Sequence, residues 1–515
     1  MSLRNRTLVN MASNAAGTLV PLLVTFVTTP LIIRLLGQEG YGLQSLAGAI
    51  GGFLGFLTMG LDVPIAKYVA QYNALDDQKA IARLLDTAAM MCLFMGAVGL
   101  LAAVVFGRSL AERVFHLSGA FSSEARIVFA FSGVAFCISL VQSWANACLM
   151  GLERFDKANL VQIPTAILSP LAGILAIHAG LGLIGFVAAR ILVMGIATAF
   201  SLGQAFAILP LYRLHPAIHW QTLNQIKGYL ATGLFLRLMG FVAGGLDRTL
   251  IGAWISVSLV TAYAVQWSLI SPVQSLFANI FGYLFPMSSA LHASGQDERF
   301  RGIFLKSSAL YAAMSCTAFG ALFIFGTSFL RLWVGDAIAA EVDLAFPLLV
   351  AGAVVTQLCS NFLNSTVVGL GRLRLYLGFS VAKAILVGGA LLLGVRHFSL
   401  VGAGGAYIVA GIAEVSYLVI GVRSILGVPF WQFLRMAYAR PMAIAVFLTV
   451  AAWPLRDMAS TWWRLGILCA LFSAVGGLGN VLWRVIPLDD IAKVCREIRD
   501  GFQRLGSRRG PQDRR

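Results

Sequence analysis

Three cations stand inside otherwise apolar stretches of this chain: Arg190, Arg237 and Lys383. A charge at membrane depth costs at least a few kcal/mol unless it is hydrated or paired, so such residues mark functional sites by default. Arg237 lies near the middle of residues 226–252, where Gly233, Arg237, Gly240 and Gly244 recur at spacings of four, three and four. They share one helix face, and the small residues let a second helix approach, which points the guanidinium into protein or a watery cavity. Lys383 has Tyr376 and Ser380 on its own helix face. Acidic residues in or at the ends of such stretches are fewer: Asp62, Asp247 and Glu414. A cavity with net positive charge suits an anion, above all a phosphate or pyrophosphate that Arg grips with two parallel hydrogen bonds. Mutual neutralisation is the competing account, Glu414 with Lys383 and Asp247 with Arg248 or Arg237. A carboxylate at this depth can also take up H⁺ or Na⁺ and couple transport to an ion gradient.

Neutral polar residues are spaced to meet a sugar. Asn10, Asn14, Thr18, Pro21, Thr25 and Thr28 recur at spacings of four, four, three, four and three, a stripe along one face of a helix that Pro21 can bend. Gln142 with Asn146, and Gln357 with Asn361 and Asn364, form two more such faces. These faces either line a cavity or hydrogen-bond between packed helices. Tyr263, Trp267 and Tyr407 offer rings on which a sugar can stack, although single aromatics in membrane helices also serve packing or anchoring. The substrate-contacting set is Arg237, Arg190, Lys383, Arg248, Asn14, Asn146, Asn364 and Gln266. The ion-coupling set is Asp62, Asp247 and Glu414.

Neither catalysis nor metal binding is expected. Gly180, Gly182 and Gly185 match G-x-G-x-x-G but join two apolar stretches outside any βαβ unit. His215 and His219 are four apart, with Pro216 between them and no third ligand near. The seven cysteines form no C-x-x-C pair, and six lie in apolar segments as small buried hydrophobes.

Membrane helices must hold these residues. The chain is 59% hydrophobic and 12% charged, with mean hydropathy +0.83, where a soluble domain is about 25% charged. The expected fold is an all-α polytopic membrane protein of about 14 transmembrane helices. Approximate limits are 10–33, 41–63, 84–107, 126–150, 159–179, 183–210, 226–252, 258–287, 303–330, 342–369, 373–395, 400–422, 438–455 and 465–486. The basic start M-S-L-R-N-R followed by a long apolar stretch reads as a first span, not a cleaved leader. An even number of spans puts both termini on one side. Twenty-six of the 38 Lys and Arg residues then fall on that side and nine opposite, so the termini are expected in the cytoplasm. The net charge of +16 thus reports topology and not nucleic-acid binding.

The chain also repeats itself. A shift of 222 aligns Tyr41 with Tyr263, Gln44 with Gln266, Leu54 with Leu276, Gly60 with Gly282 and Pro64 with Pro286. A shift of 218 aligns Asn146, Gly151, Leu152 and Arg154 with Asn364, Gly369, Leu370 and Arg372. Six spans separate the copies, so both cross in the same direction, one plan of transporters. This reading divides the chain into an N-lobe at 1–215 (spans 1–6), a C-lobe at 216–424 (spans 7–12), two extra C-terminal helices at 425–486 and a basic cytoplasmic tail at 487–515.

Three short motifs carry a resemblance. They are L-L-G-Q-E-G-Y-G-L at 35–43 with G-L-D-V-P-I-A-K-Y at 60–68, G-L-E-R-F at 151–155 with G-L-G-R-L at 369–373, and L-D-R-T-L-I-G at 246–252 with T-A-Y-A-V at 261–265. In these, across nearly the whole chain, it resembles the polysaccharide-unit flippases (the Wzx, or O-antigen transporter, family) of the multidrug/oligosaccharidyl-lipid/polysaccharide exporter superfamily. The resemblance implies a V-shaped two-lobe exporter with a cationic cavity. Such an exporter flips an undecaprenyl-pyrophosphate-linked oligosaccharide from the cytoplasmic to the outer leaflet of a bacterial inner membrane. It implies basic cavity residues on the pyrophosphate, carried over here to Arg237 and the Asp247–Arg248 pair, and an H⁺ or Na⁺ gradient with no organic cofactor. The expected partners are the lipid-linked oligosaccharide, membrane lipids and other polysaccharide-assembly proteins. A drug or metabolite–cation antiporter of the same fold is the alternative. A membrane polymerase or acyltransferase is remote, for want of a large outer loop or a buried polar His.

Overall fold

A computed structural model of the chain describes residues 3–209, 215–483 and 485, and for residues 3–19, Ala120, Phe155, Pro286 and Ala290 the backbone alone. The side chains of Asn10, Asn14 and Thr18, together with Cys495 and the basic tail at 487–515, lie outside the described residues.

The described chain is helical throughout, without a strand. In order the helices are α1 (Leu3–Leu54), α2 (Asp62–Ala74), α3 (Gln78–Ser109), α4 (Gly119–Gly151), α5 (Phe155–His178), α6 (Gly182–Ile208), α7 (Trp220–Gly244), α8 (Leu246–Trp254) and α9 (Val257–Ile280). They continue with α10 (Leu284–Ala293), α11 (Asp297–Val334), α12 (Asp336–Val342), α13 (Ala345–Thr356), α14 (Phe362–Gly369), α15 (Leu373–Leu426), α16 (Phe430–Phe433), α17 (Ala439–Ala452) and α18 (Trp462–Leu482). Eleven helices among the described residues are long and apolar enough to cross a membrane. Two of them are pairs of spans. The 52 residues of α1 would reach about 78 Å, far beyond a hydrocarbon core of about 30 Å. The helix breaks at Gly37 (φ 73°), and α15, with 54 residues, breaks at Ser399 (φ 54°). Taking each as two and adding α9, whose Gln266, Gln274 and serines lower its hydropathy, gives the fourteen spans expected from the sequence.

The helices gather into two units. Of the described residues, unit 1 comprises those up to Asn279 with Trp333–Leu349 and Leu377–Ala413, and unit 2 comprises Ile280–Leu332, Val350–Tyr376 and those from Glu414 onward.

In unit 1, small residues set the packing. α3 turns Gly96, Gly99, Ala103 and Gly107 toward α4, so the backbones approach closely. A Cβ at Gly99 would lie 2.5 Å from the Phe136 ring, and one at Gly133 would lie 2.7 Å from the Ala103 Cβ. The other face of α3 leaves Leu93, Phe94, Leu101 and Val105 more than half exposed, as a lipid-facing surface requires. The motif glycines act in the same way. Gly37 breaks α1, and Gly42 admits the start of α9, where Thr261 Oγ1 donates to the Gln38 carbonyl at 2.5 Å. Pro30 removes a donor from α1 and frees the carbonyl of Phe26. The Trp333 indole donates to that carbonyl at 2.7 Å while its ring stacks on Phe26.

In unit 2 a core of Ile324, Phe325, Ile444, Leu448, Leu465 and Phe472 joins α11, α17 and α18. α13 runs through a π-bulge, Gln357–Asn361, into α14.

The repeat seen in the sequence recurs as one packing arrangement made twice, once inside each unit. The end of α4 meets α2, where a Cβ on Gly151 would lie 2.8 Å from the Ala66 carbonyl oxygen. The end of α14 meets α10, where a Cβ on Gly369 would strike Ser288 Oγ and lie 2.6 Å from the Phe285 carbonyl oxygen. Both helices then stop on the same hydrogen bonds: Arg154 N–H to the Leu149 carbonyl, and Arg372 N–H to the Val367 carbonyl. The left-handed residue of the turn is Gly371 (φ 71°) in one copy and Glu153 (φ 58°) in the other.

Candidate functional site

Arg190 is placed by its neighbours on α5 and α6. Gly173 leaves the space for its stem: a Cβ there would sit 3.3 Å from Arg190 Cγ and 2.6 Å from the Phe186 ring. The guanidinium lies 5.3 Å from the centroid of that ring, and Nε donates to Ser169 Oγ at 3.4 Å. Among the described residues no carboxylate pairs with it.

Two cavities in unit 1 meet at this residue. The first, of about 480 Å³, sets hydroxyl and amide side chains among apolar surface from Ile32, Val161, Ala166 and Met194. Span one contributes Pro21, Thr25, Thr28 and Thr29, three of them from the stripe noted in the sequence, and Tyr41, Gln44, Gln142, Gln162, Thr165 and Ser169 add to it. Thr28 and Thr165 donate their hydroxyl protons to the carbonyls of Val24 and Val161, so their oxygens face outward as acceptors. Gln142 Nε2 donates to Asn146 Oδ1 at 3.0 Å and to Ser201 Oγ at 2.8 Å. Gln142 Oε1 and Gln44 Oε1 are buried without a hydrogen-bond partner among the described residues. The second cavity, of about 360 Å³, shares Gln44, Ser169, Arg190 and Met194 with the first and adds Ser132 and Ser139 to a set of more apolar residues that includes Ala47, Phe131, Phe136 and Ile191. One cation without a carboxylate partner among the described residues thus stands where a cavity richer in hydroxyl and amide side chains meets one with fewer of them.

Arg237 has a different setting. Its Nη2 lies 2.8 Å from Asp62 Oδ1, in the first turn of α2. A close approach at Gly60 (φ 64°) and Gly233 allows this, since a Cβ on Gly60 would be 3.2 Å from Gly233 Cα. Gly240 and Gly244 touch nothing that a Cβ would meet. Both partners are about two-fifths exposed, so the pair is worth no more than about 1 kcal/mol to the fold. Reversing the pair as Asp62→Arg with Arg237→Asp is expected to restore at least half of the export lost by either single change. A complementation assay of surface polymer, read as a double-mutant cycle, checks this; a reversal as poor as its worse single would give Arg237 a role beyond pairing.

Asp247 is buried, with 1% exposure. Its Oδ2 accepts the hydroxyls of Tyr263 (2.6 Å) and Tyr407 (2.8 Å), and its Oδ1 accepts the N–H of Arg248 (2.8 Å). Of the two readings open to Tyr263 and Tyr407, sugar stacking and packing, the geometry fits packing: they are 1% and 5% exposed, and their hydroxyls are engaged. Trp267 packs edge-on against Tyr407. Gln266 is buried and donates to the carbonyl of Ala262 in its own helix. Arg248 and Lys383, the latter 5.8 Å from the Phe379 ring, do not line the two cavities. In unit 2, Asn361 Nδ2 donates to Gln357 Oε1, Asn364 is partly buried, and the wholly buried Glu414 accepts from Thr356 Oγ1 at 3.1 Å.

A family profile described as polysaccharide biosynthesis protein matches residues 31–342, well over half of the chain. The chain belongs to this polysaccharide biosynthesis family. A Shigella flexneri protein named, provisionally, an O-antigen transporter is 26% identical over 171 residues. That match spans 33% of this chain and 39% of the relative, so the chain covers about two-fifths of the length of the curated protein it matches. Two solved structures share the fold. One is an inward-facing multidrug resistance MATE family transporter of the MOP superfamily, with TM-score 0.64 and 15% identity over 80% of this chain and 98% of that one. The other is the lipid II flippase MurJ in an inward closed conformation, with TM-score 0.66 and 10% identity over 93% of this chain and 99% of that one. At these identities the likeness establishes the fold alone, an all-helical multi-pass architecture shared with both structures. It agrees with the Wzx-type resemblance carried by the motifs.

Asp62, Arg190, Arg237 and Asp247 all fall within the segment matched to the polysaccharide biosynthesis family. Gln162, Thr29 and Ser169, which line the first cavity, were not singled out from the sequence, and neither was Gln204 on α6, whose side-chain amide is buried without a partner among the described residues. Gln162 was within reach: Asn159, Gln162, Thr165 and Ser169 recur at three, three and four, a polar stripe like that of span one.

Proposed function

We propose that this protein is a secondary transporter of a bacterial inner membrane. It flips undecaprenyl-pyrophosphate-linked oligosaccharide units from the cytoplasmic to the outer leaflet for surface polysaccharide biosynthesis. The observation that carries this reading is the place of Arg190, without a carboxylate partner among the described residues, where a cavity richer in hydroxyl and amide side chains meets one lined by more apolar residues. A lipid-linked oligosaccharide has its parts in the same order: sugars rich in hydroxyls, a diphosphate, a hydrocarbon chain. Arg190 takes the diphosphate, as a planar guanidinium without a carboxylate partner does best. Gln44, Gln142 and Gln162 meet the sugar, whose hydroxyls both donate and accept. The positive-inside count supports cytoplasmic termini. The cycle runs by alternating access with H⁺ or Na⁺ as the coupling ion, and the buried carboxylates Asp247 and Glu414 are better shielded for that role than the paired Asp62. The proteins that build and polymerise the oligosaccharide are its working partners.

The test is to deplete the protein in its native host, extract undecaprenyl-linked intermediates and determine which membrane face they occupy. Accumulation on the cytoplasmic face with loss of surface polymer is the expected result. Unchanged intermediates with intact polymer would overturn the reading and favour cation-driven efflux of a drug or metabolite.

A further inference from the structure

We propose that the start of α7 forms a second binding site, apart from the chambers at Arg190, for a phosphate ester carried by an anionic phospholipid. A cavity of about 390 Å³ lies there, with Tyr72, Arg83, His219, Trp220, Thr222 and Gln225 in its wall. Arg83, Thr222 and the amide nitrogens of Gln221 and Gln225 are donors in its wall. Arg83 is exposed and has no ion-pair partner among the described residues. The first turn of α7 has no side-chain cap, so its N–H groups add their partial positive charge. Tyr72 donates to Gln225 Oε1 at 2.8 Å, which leaves the Gln225 amide nitrogen free to donate.

Thr222 points independently to a ligand. It is 8% exposed, lines this cavity, and its hydroxyl has no hydrogen-bond partner among the described residues. The nearby carboxylates do not line the cavity: Asp77 accepts from the Ala80 N–H, and Asp86 accepts from the His215 N–H. An anion with several acceptor oxygens, such as a tetrahedral phosphate, fits a guanidinium, a hydroxyl and a helix N-terminus together.

The surroundings favour a lipid as its carrier. Trp220 is the first residue of a membrane-spanning helix and is 71% exposed beside the cavity. Trp in that position sits at headgroup depth, and basic pockets between spans at that depth hold anionic headgroups.

Native mass spectrometry of the full-length protein, titrated with phosphatidylglycerol, tests the site. Arg83→Gln is expected to weaken binding roughly ten-fold and Thr222→Val roughly three-fold, the loss of one charged and one neutral hydrogen bond. Lys227→Gln, outside the cavity, is expected to leave binding unchanged. Both cavity variants replace groups that hold nothing else, so their melting temperatures serve as the folding control. Equal phosphatidylglycerol binding by the wild type and both variants would overturn the site. Displacement of phosphatidylglycerol by millimolar inorganic phosphate would overturn the lipid assignment in favour of soluble phosphate esters, and lack of displacement upholds it.

Discussion

Replacing Arg190 by Gln is expected to lower export on the order of 100-fold while the protein still inserts in the membrane. That factor corresponds to about 3 kcal/mol, the upper range for a hydrogen bond to a charged group. The geometry makes the loss specific. Arg190 is held by a ring, a serine and the gap at Gly173, none of which needs its charge. Removing the charge leaves no carboxylate orphaned, so the melting temperature in detergent is expected to stay level or rise. Arg190→Lys keeps the charge but loses the planar fork, and about a ten-fold loss is expected. Surface polymer and the pool of lipid-linked intermediates, normalised to protein level, measure both. Normal export by Arg190→Gln at native expression would remove Arg190 from the transport path.

Asp247→Ala is expected to have the largest effect on stability, a loss of about 3 kcal/mol or more. Two buried tyrosine hydroxyls and one backbone N–H lose their acceptor together, at about 1–3 kcal/mol for each orphaned group. Asp247→Asn keeps an acceptor for the Arg248 N–H and can exchange hydrogen bonds with the tyrosines, so a smaller loss is expected. Tyr263→Phe and Tyr407→Phe each remove one hydrogen bond without orphaning the carboxylate, and each is expected to cost about 1–2 kcal/mol. Thermal unfolding in detergent ranks the four variants. An Asp247→Ala protein that melts within a degree of the wild type would show that the cluster does not hold the fold.

The fold was legible because its signals are local. Hydropathy marks the spans, and Gly37 and Ser399 divide helices that no bilayer could hold straight. The repeat was legible because G-L-x-R keeps both a glycine for close approach and a turn for ending the helix. The site was legible only in part, since charge spacing along one helix says nothing about what lies opposite. Arg237 ranked first from its position in a glycine-lined face, yet its partner Asp62 stands 175 residues earlier. Arg190 ranked behind it, because neither the notch at Gly173 nor the two chambers leaves a trace in α6 itself. Tyr263 and Tyr407 left stacking and packing both open, because a sequence shows a ring but not the acceptor that its hydroxyl reaches.

The contact between Phe26 and Trp333 has a consequence in time. Pro30 leaves the Phe26 carbonyl without its helical donor, and the indole that satisfies it lies 307 residues downstream. At synthesis rates of about 5–20 residues per second, roughly 15–60 s separate the two. For that interval α1 carries an open acceptor, and the ribosome adds 307 residues before its donor exists. An insertion machinery that releases α1 before Trp333 is made releases an unfinished helix.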